Sequence, residues 1–114
     1  MSLKVKTKDD IVYRILGEQQ QLALLGVRSI GLFGSFVRGE QTDSSDIDLL
    51  VEFFPEKHLF DNFMDVAFFL ENLLGRKVEI ATPEALSPHI RPHILREVEC
   101  VPVDGKPQIP LELE

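Results

Sequence analysis

Ser29-Ile30-Gly31-Leu32-Phe33-Gly34-Ser35 and, after ten further residues, Asp46-Ile47-Asp48-Leu49-Leu50-Val51-Glu52-Phe53 organise the chain. The first reads as an apolar strand over residues 27–33, a turn at Gly34-Ser35 and a short helix over residues 36–40. The second reads as a strand over residues 46–53, stopped at Phe54-Pro55 because proline donates no ladder hydrogen bond. Side chains alternate faces along a strand, so Asp46 and Asp48 share one face while Ile47, Leu49 and Val51 share the other. Two carboxylates so spaced on a stiff strand suit a single hard cation approached from one side. A helix start at Gly34-Ser35 offers unpaired backbone N–H groups to an anion. The pairing predicts a phosphate held beside a magnesium ion.

Working outward, Thr7 with Asp9 and Asp10 has the form of a helix N-cap with acid in the first turn. Ile11, Ile15, Leu22 and Leu25 then give one helical face that Gly26 closes, and residues 1–6 are expected to be a loose start. Residues 61–74 predict an amphipathic helix presenting Phe63, Val66, Ala67, Leu70, Leu73 and Leu74 to a core, capped by Gly75. Residues 77–81 predict a third strand, with Val78 and Ile80 inward and Glu79 opposite. Thr82-Pro83-Glu84 opens a helical region that Pro88 and Pro92 interrupt before a helix into Glu97, and residues 100–103 read as a short edge strand. The expected architecture is α+β: a small mixed sheet with helices packed on one face and the acids on the other. Residues 1–104 form one domain, and residues 105–114 are expected to be a flexible tail.

Composition narrows the function classes. Apolar content of 44% and eight Phe support a packed globule of 114 residues. A net charge of -7 repels a phosphate backbone, so direct binding to nucleic acid is not expected. The lone Cys100 excludes an internal disulfide and reads as a small buried hydrophobe. No signal peptide and no apolar run near eighteen residues is present, which predicts a cytoplasmic protein without a membrane span. His89 and His93 are four apart, but Pro92 lies between them and no further ligand accompanies them, so they are read as surface histidines.

The candidate site is therefore oxygen-based. Asp46 and Asp48 are the candidate metal ligands, for Mg²⁺ or equally Mn²⁺. If the third strand neighbours the second, Glu79 joins them as a third ligand for two ions or as the acceptor of a hydroxyl proton; alone, it is an exposed strand acid. Gly34 and Ser35 are the candidate phosphate binders, and Arg38, one turn on, either reaches a phosphate or pairs with an acid of its own site.

Gly34-Ser35-Phe36-Val37-Arg38-Gly39-Glu40, followed by Ser45-Asp46-Ile47-Asp48-Leu49-Leu50-Val51, resembles the minimal nucleotidyltransferases of the DNA polymerase β superfamily. The resemblance extends through Gly75-Arg76-Lys77-Val78-Glu79 and Thr82-Pro83-Glu84-Ala85-Leu86. It implies the polymerase β-like fold and transfer of a nucleoside monophosphate, AMP from ATP, to a hydroxyl. It also implies that Gly34 and Ser35 hold triphosphate and that Asp46 and Asp48 hold Mg²⁺. Glu79 stands where the family more often has Asp, one methylene shorter. Members of this size resemble the antitoxin half of a two-gene pair, whose partner is a HEPN-domain ribonuclease silenced by adenylylation of a tyrosine. Two alternatives stand beside this reading: a catalytically silent antitoxin that acts by contact, and transfer to a small molecule such as an aminoglycoside. Assembly as a homo- or hetero-oligomer stays open.

Overall fold

The computed structural model describes residues 3–55, 60–101 and 103; the tail expected beyond residue 104 lies outside them. Strands β1 (Val27–Phe33), β2 (Ile47–Phe53), β3 (Val78–Ala81) and β4 (Glu99–Val101) lie in the order β3-β2-β1-β4. β1 pairs antiparallel with β2 and with β4, whereas β2 and β3 run parallel, so the sheet is mixed. A parallel pair needs a crossover, and α4 (Phe60–Leu74) supplies it between β2 and β3. The remaining helices are α1 (Lys8–Leu16), α2 (Gln19–Leu24), α3 (Ser35–Arg38) and α5 (Arg91–Glu97), with a 3-10 turn at Pro83–Ala85. This is the expected α+β architecture.

The core follows from the strand alternation. Ile30 and Leu32 of β1, Ile47, Leu49 and Val51 of β2, and Val78 of β3 form one apolar cluster with Ile11 and Ile15 of α1, Leu22 of α2, and Val66, Leu70 and Leu74 of α4. Each such buried aliphatic side chain contributes about 1.5–3 kcal/mol of transfer free energy, which is what holds the helical layer to the sheet. Asp48 and Glu52 of β2 point the other way. That second face is covered only in part, near β1. A Cβ on Gly31 would fall 2.4 Å from a Val98 methyl, so the missing side chain lets the end of α5 close onto the strand.

Several expectations change. The single N-terminal helix is two, broken at Gly17 and Glu18, where the Glu18 N–H bonds to the Ile15 carbonyl in a tight turn. Glycine is a poor helix interior residue, and Ile15 and Leu22 are both fully buried on either side of the break. Nor is the start loose throughout: Val5 is fully buried, and its N–H donates to the Leu74 carbonyl at 3.0 Å. Pro92 does not break α5, because it sits in the first turn, where no helical N–H partner is required. Cys100 is exposed rather than buried, since β4 is an edge strand and its inward residue is Val101.

Candidate functional site

The site begins where β1 ends. Gly34 has φ 85° and ψ −155°, a conformation that side-chain-bearing residues rarely adopt. A Cβ at this position would lie 2.2 Å from Oδ2 of Asp48. The turn and the acid are therefore in direct apposition, and the register explains it. Phe33 lies opposite Asp48 across the antiparallel pair, so the next residue meets that carboxylate. On its other side Asp48 is level with Glu79 of β3. Neighbouring strands are about 4.8 Å apart, so the parallel pairing satisfies the condition on which Glu79 joined the site. Asp46 lies just before β2 begins, where the Ile47 N–H bonds to the Lys77 carbonyl at 3.0 Å.

The electrostatics of this corner favour a cation. Burial pushes the Asp48 carboxyl above its usual range, and the charges of Glu79 and Asp46 push it the same way, against the weaker pull of Arg38. A divalent ion would relieve that repulsion, and an all-carboxylate donor set suits Mg²⁺ or Mn²⁺. Among the described residues no group of three His, Cys, Asp or Glu side chains is placed to hold a metal ion, so Asp46, Asp48 and Glu79 share this corner without converging as a three-ligand set. Glu79 is exposed, and Asp46 and Asp48 are half-buried. An open arrangement of this kind suits magnesium, which keeps waters and takes substrate oxygens alongside one or two carboxylates.

Arg38 pairs with acids. Its Nε lies 2.9 Å from Oε1 of Glu40 and its Nη1 2.8 Å from Oε1 of Glu97. These bonds engage two of the five N–H donors of the guanidinium and leave three for another acceptor. Glu97 was invisible to sequence reasoning, being a single acid at the end of a helix far along the chain. Its second oxygen accepts the Gly34 N–H at 2.7 Å. The Gly34 N–H and then the Arg38 guanidinium hold the Glu97 carboxyl below its usual range. Ser35 opens α3, a single turn closed by Gly39 in the left-handed conformation, and its carbonyl accepts the Glu40 N–H at 2.9 Å.

Arg76 is the second residue whose role the sequence did not disclose. It is 7% exposed, and its Nε donates to the Val5 carbonyl at 2.7 Å. Its Nη1 reaches the carbonyls of Thr42, Asp43 and Ser45 at 3.0, 3.2 and 2.8 Å. Its Cζ lies 4.9 Å from the centre of the Phe36 ring of α3. One guanidinium thus ties the loop that delivers Asp46 to the helix that follows Gly34. His89 and His93 are exposed, and His93 Nδ1 is 3.1 Å from Arg96 rather than at a metal site. Partial burial and the nearby Glu52 push the Cys100 thiol up, so this cysteine is not an activated nucleophile.

The nucleotidyltransferase domain family matches residues 12–100 of the chain. The protein adenylyltransferase MntA of Thermococcus cleftensis is 44% identical over 76 residues, which cover 67% of this chain and 76% of the relative. A solved structure assigned as a minimal nucleotidyltransferase superposes with a TM-score of 0.72 at 31% identity, covering 82% of this chain and 95% of its own. A toxin-antitoxin structure solved with AMP-PNP superposes with a TM-score of 0.63, covering 79% of this chain and 71% of its own; at 20% identity this likeness concerns the fold alone.

Proposed function

We propose that this chain, which belongs to the nucleotidyltransferase domain family, is an antitoxin that transfers AMP from ATP to a tyrosine hydroxyl of a HEPN-type ribonuclease toxin. The observation that carries the reading is the contact of Asp48 with the Gly34 turn, with Glu79 level with it on the next strand. That contact brings candidate cation ligands and candidate phosphate donors to one corner. The name of the Thermococcus cleftensis relative supports both the adenylyl group and a protein acceptor.

In this reading Gly34 lets the backbone approach the triphosphate closely, and the Ser35 N–H, the Ser35 hydroxyl and Arg38 bind it. Asp46 and Asp48, with Glu79, would hold the divalent ions. Magnesium, when bound, supplies charge neutralisation at the phosphates and makes the attacking hydroxyl more acidic. Glu79, the exposed carboxylate of the set, accepts the proton of the incoming tyrosine. The tyrosine oxygen forms a bond to the α-phosphorus as the bond to pyrophosphate breaks. Arg38 and the backbone donors then meet the charge that develops on the leaving group.

The test is co-expression with the neighbouring gene product, followed by intact mass measurement of that partner. Wild type is expected to add one or more AMP masses, and Asp46→Asn/Asp48→Asn none. A partner that stays neutralised yet unmodified with both carboxylates gone would establish inhibition by contact instead.

A further inference from the structure

Among the described residues the Glu97 carboxylate is bound by the Gly34 N–H and by the Arg38 guanidinium, which places it behind the turn and the cation of the proposed triphosphate site. We infer that Glu97 is a positioning residue, which braces the Arg38 guanidinium and the Gly34 turn in the geometry that receives a nucleoside triphosphate. The inference rests on the proposed reading of Gly34, Ser35 and Arg38 as the triphosphate site.

One carboxylate bridges the two groups, 2.7 Å from the Gly34 nitrogen and 2.8 Å from Nη1 of Arg38. Glu40 holds the same guanidinium at Nε, so a long side chain that would otherwise sample many rotamers is clamped from two directions. A donor already held in place loses less freedom when its ligand arrives, which is the gain from preorganisation. The placement of Glu97 is itself fixed by backbone docking. Two residues on, Glu99 pairs with Leu32 of β1, and between them Val98 fills the space left by Gly31. Stability alone does not account for the arrangement, because an ion pair with Arg38 half in water is screened and adds little. The opposite role, a carboxylate that competes with phosphate for the same donors, makes the opposite prediction.

The experiment is calorimetric titration of AMP-PNP with Mg²⁺ into wild type, Arg38→Gln, Glu97→Gln and the double variant, each checked by thermal unfolding. Glutamine at 97 keeps the size and an acceptor for the Gly34 N–H while removing the charge. Arg38→Gln is expected to weaken binding about tenfold, and Glu97→Gln about three- to tenfold. The double variant is expected to bind no more weakly than Arg38→Gln, because Glu97 acts through Arg38. A merely structural role would lower the unfolding temperature and leave no such coupling. Glu97→Asp, which retains the charge, is expected to recover part of the affinity and serves should the glutamine form fold poorly. Equal or tighter binding by Glu97→Gln would overturn the inference, as would losses that multiply in the double variant. Unchanged binding by Arg38→Gln would instead overturn the triphosphate reading, and the role of Glu97 with it.

Discussion

At the scale of single residues, Gly34 meets two demands at once. Its φ of 85° favours glycine, and the space where a Cβ would sit is taken by Oδ2 of Asp48. Gly34→Ala is therefore expected to cost about 2–3 kcal/mol in urea unfolding and to displace the carboxylate, weakening Mn²⁺ binding in a metal titration. Gly39 is the matched control. Its φ is 74°, but nothing lies within 4 Å of an added Cβ. Gly39→Ala should cost only the backbone strain, about 1 kcal/mol, and leave metal binding unchanged. If the two substitutions proved equal in both measurements, the contact between Gly34 and Asp48 would not be what orders the acids.

At the scale of elements, Arg76 links three pieces of chain that the sequence separates widely: the N-terminal segment at Val5, the loop over residues 42–45, and α3 through Phe36. Arg76→Met removes the donors to the Val5, Asp43 and Ser45 carbonyls, while the Thr42 carbonyl keeps the Ser45 N–H. A loss of about 2–4 kcal/mol in chemical denaturation is expected, together with faster amide exchange in the loop before Asp46. Arg76→Lys should recover only part, because an ammonium cannot span carbonyls on both sides as the planar fork does. The start of α1 offers a test of pH dependence. The Thr7 hydroxyl accepts the Asp10 N–H, and the Asp10 carboxylate accepts the Lys6 and Thr7 N–H groups. The Lys6 N–H first, and then Thr7, hold the Asp10 carboxyl below its usual range. Because the folded value is depressed, this stabilisation is complete above the ordinary aspartate range and is lost as pH falls through the depressed value. Proton exchange and helicity should show the first turn of α1 fraying in acid. Thr7→Ala should cost about 1 kcal/mol at neutral pH.

At the scale of the whole molecule, the net charge of -7 sets which partners approach. Electrophoretic mobility shifts with RNA or DNA at physiological salt are expected to show no complex, since a polyanion meets a field of its own sign. Salt-sensitive retention of either nucleic acid would contradict this and indicate a local basic surface. Among the described residues no helix is long and apolar enough to cross a membrane.

Much of this protein was written locally. The alternation of apolar residues in β1, β2 and β3 and the helical spacing in α4 come from fixed backbone periods, so the architecture and most of the core were legible from the chain alone. The two-residue spacing of Asp46 and Asp48 and the glycine before Ser35 were legible for the same reason. What the sequence could not supply is whatever depends on which segments meet. The parallel register that sets Glu79 level with Asp48, the docking of Val98 into the gap at Gly31 that carries Glu97 to Gly34, and the reach of Arg76 across three segments are decided by long-range pairing. The N-terminal helix divides against its own pattern: the apolar spacing ran on past Gly17, but glycine is a poor helix interior residue and the chain turns there, with Ile15 and Leu22 buried on either side. Local propensity determined the pieces and the residues that carry chemistry; burial against a shared core decided their mutual placement, and with it which acid touches which donor.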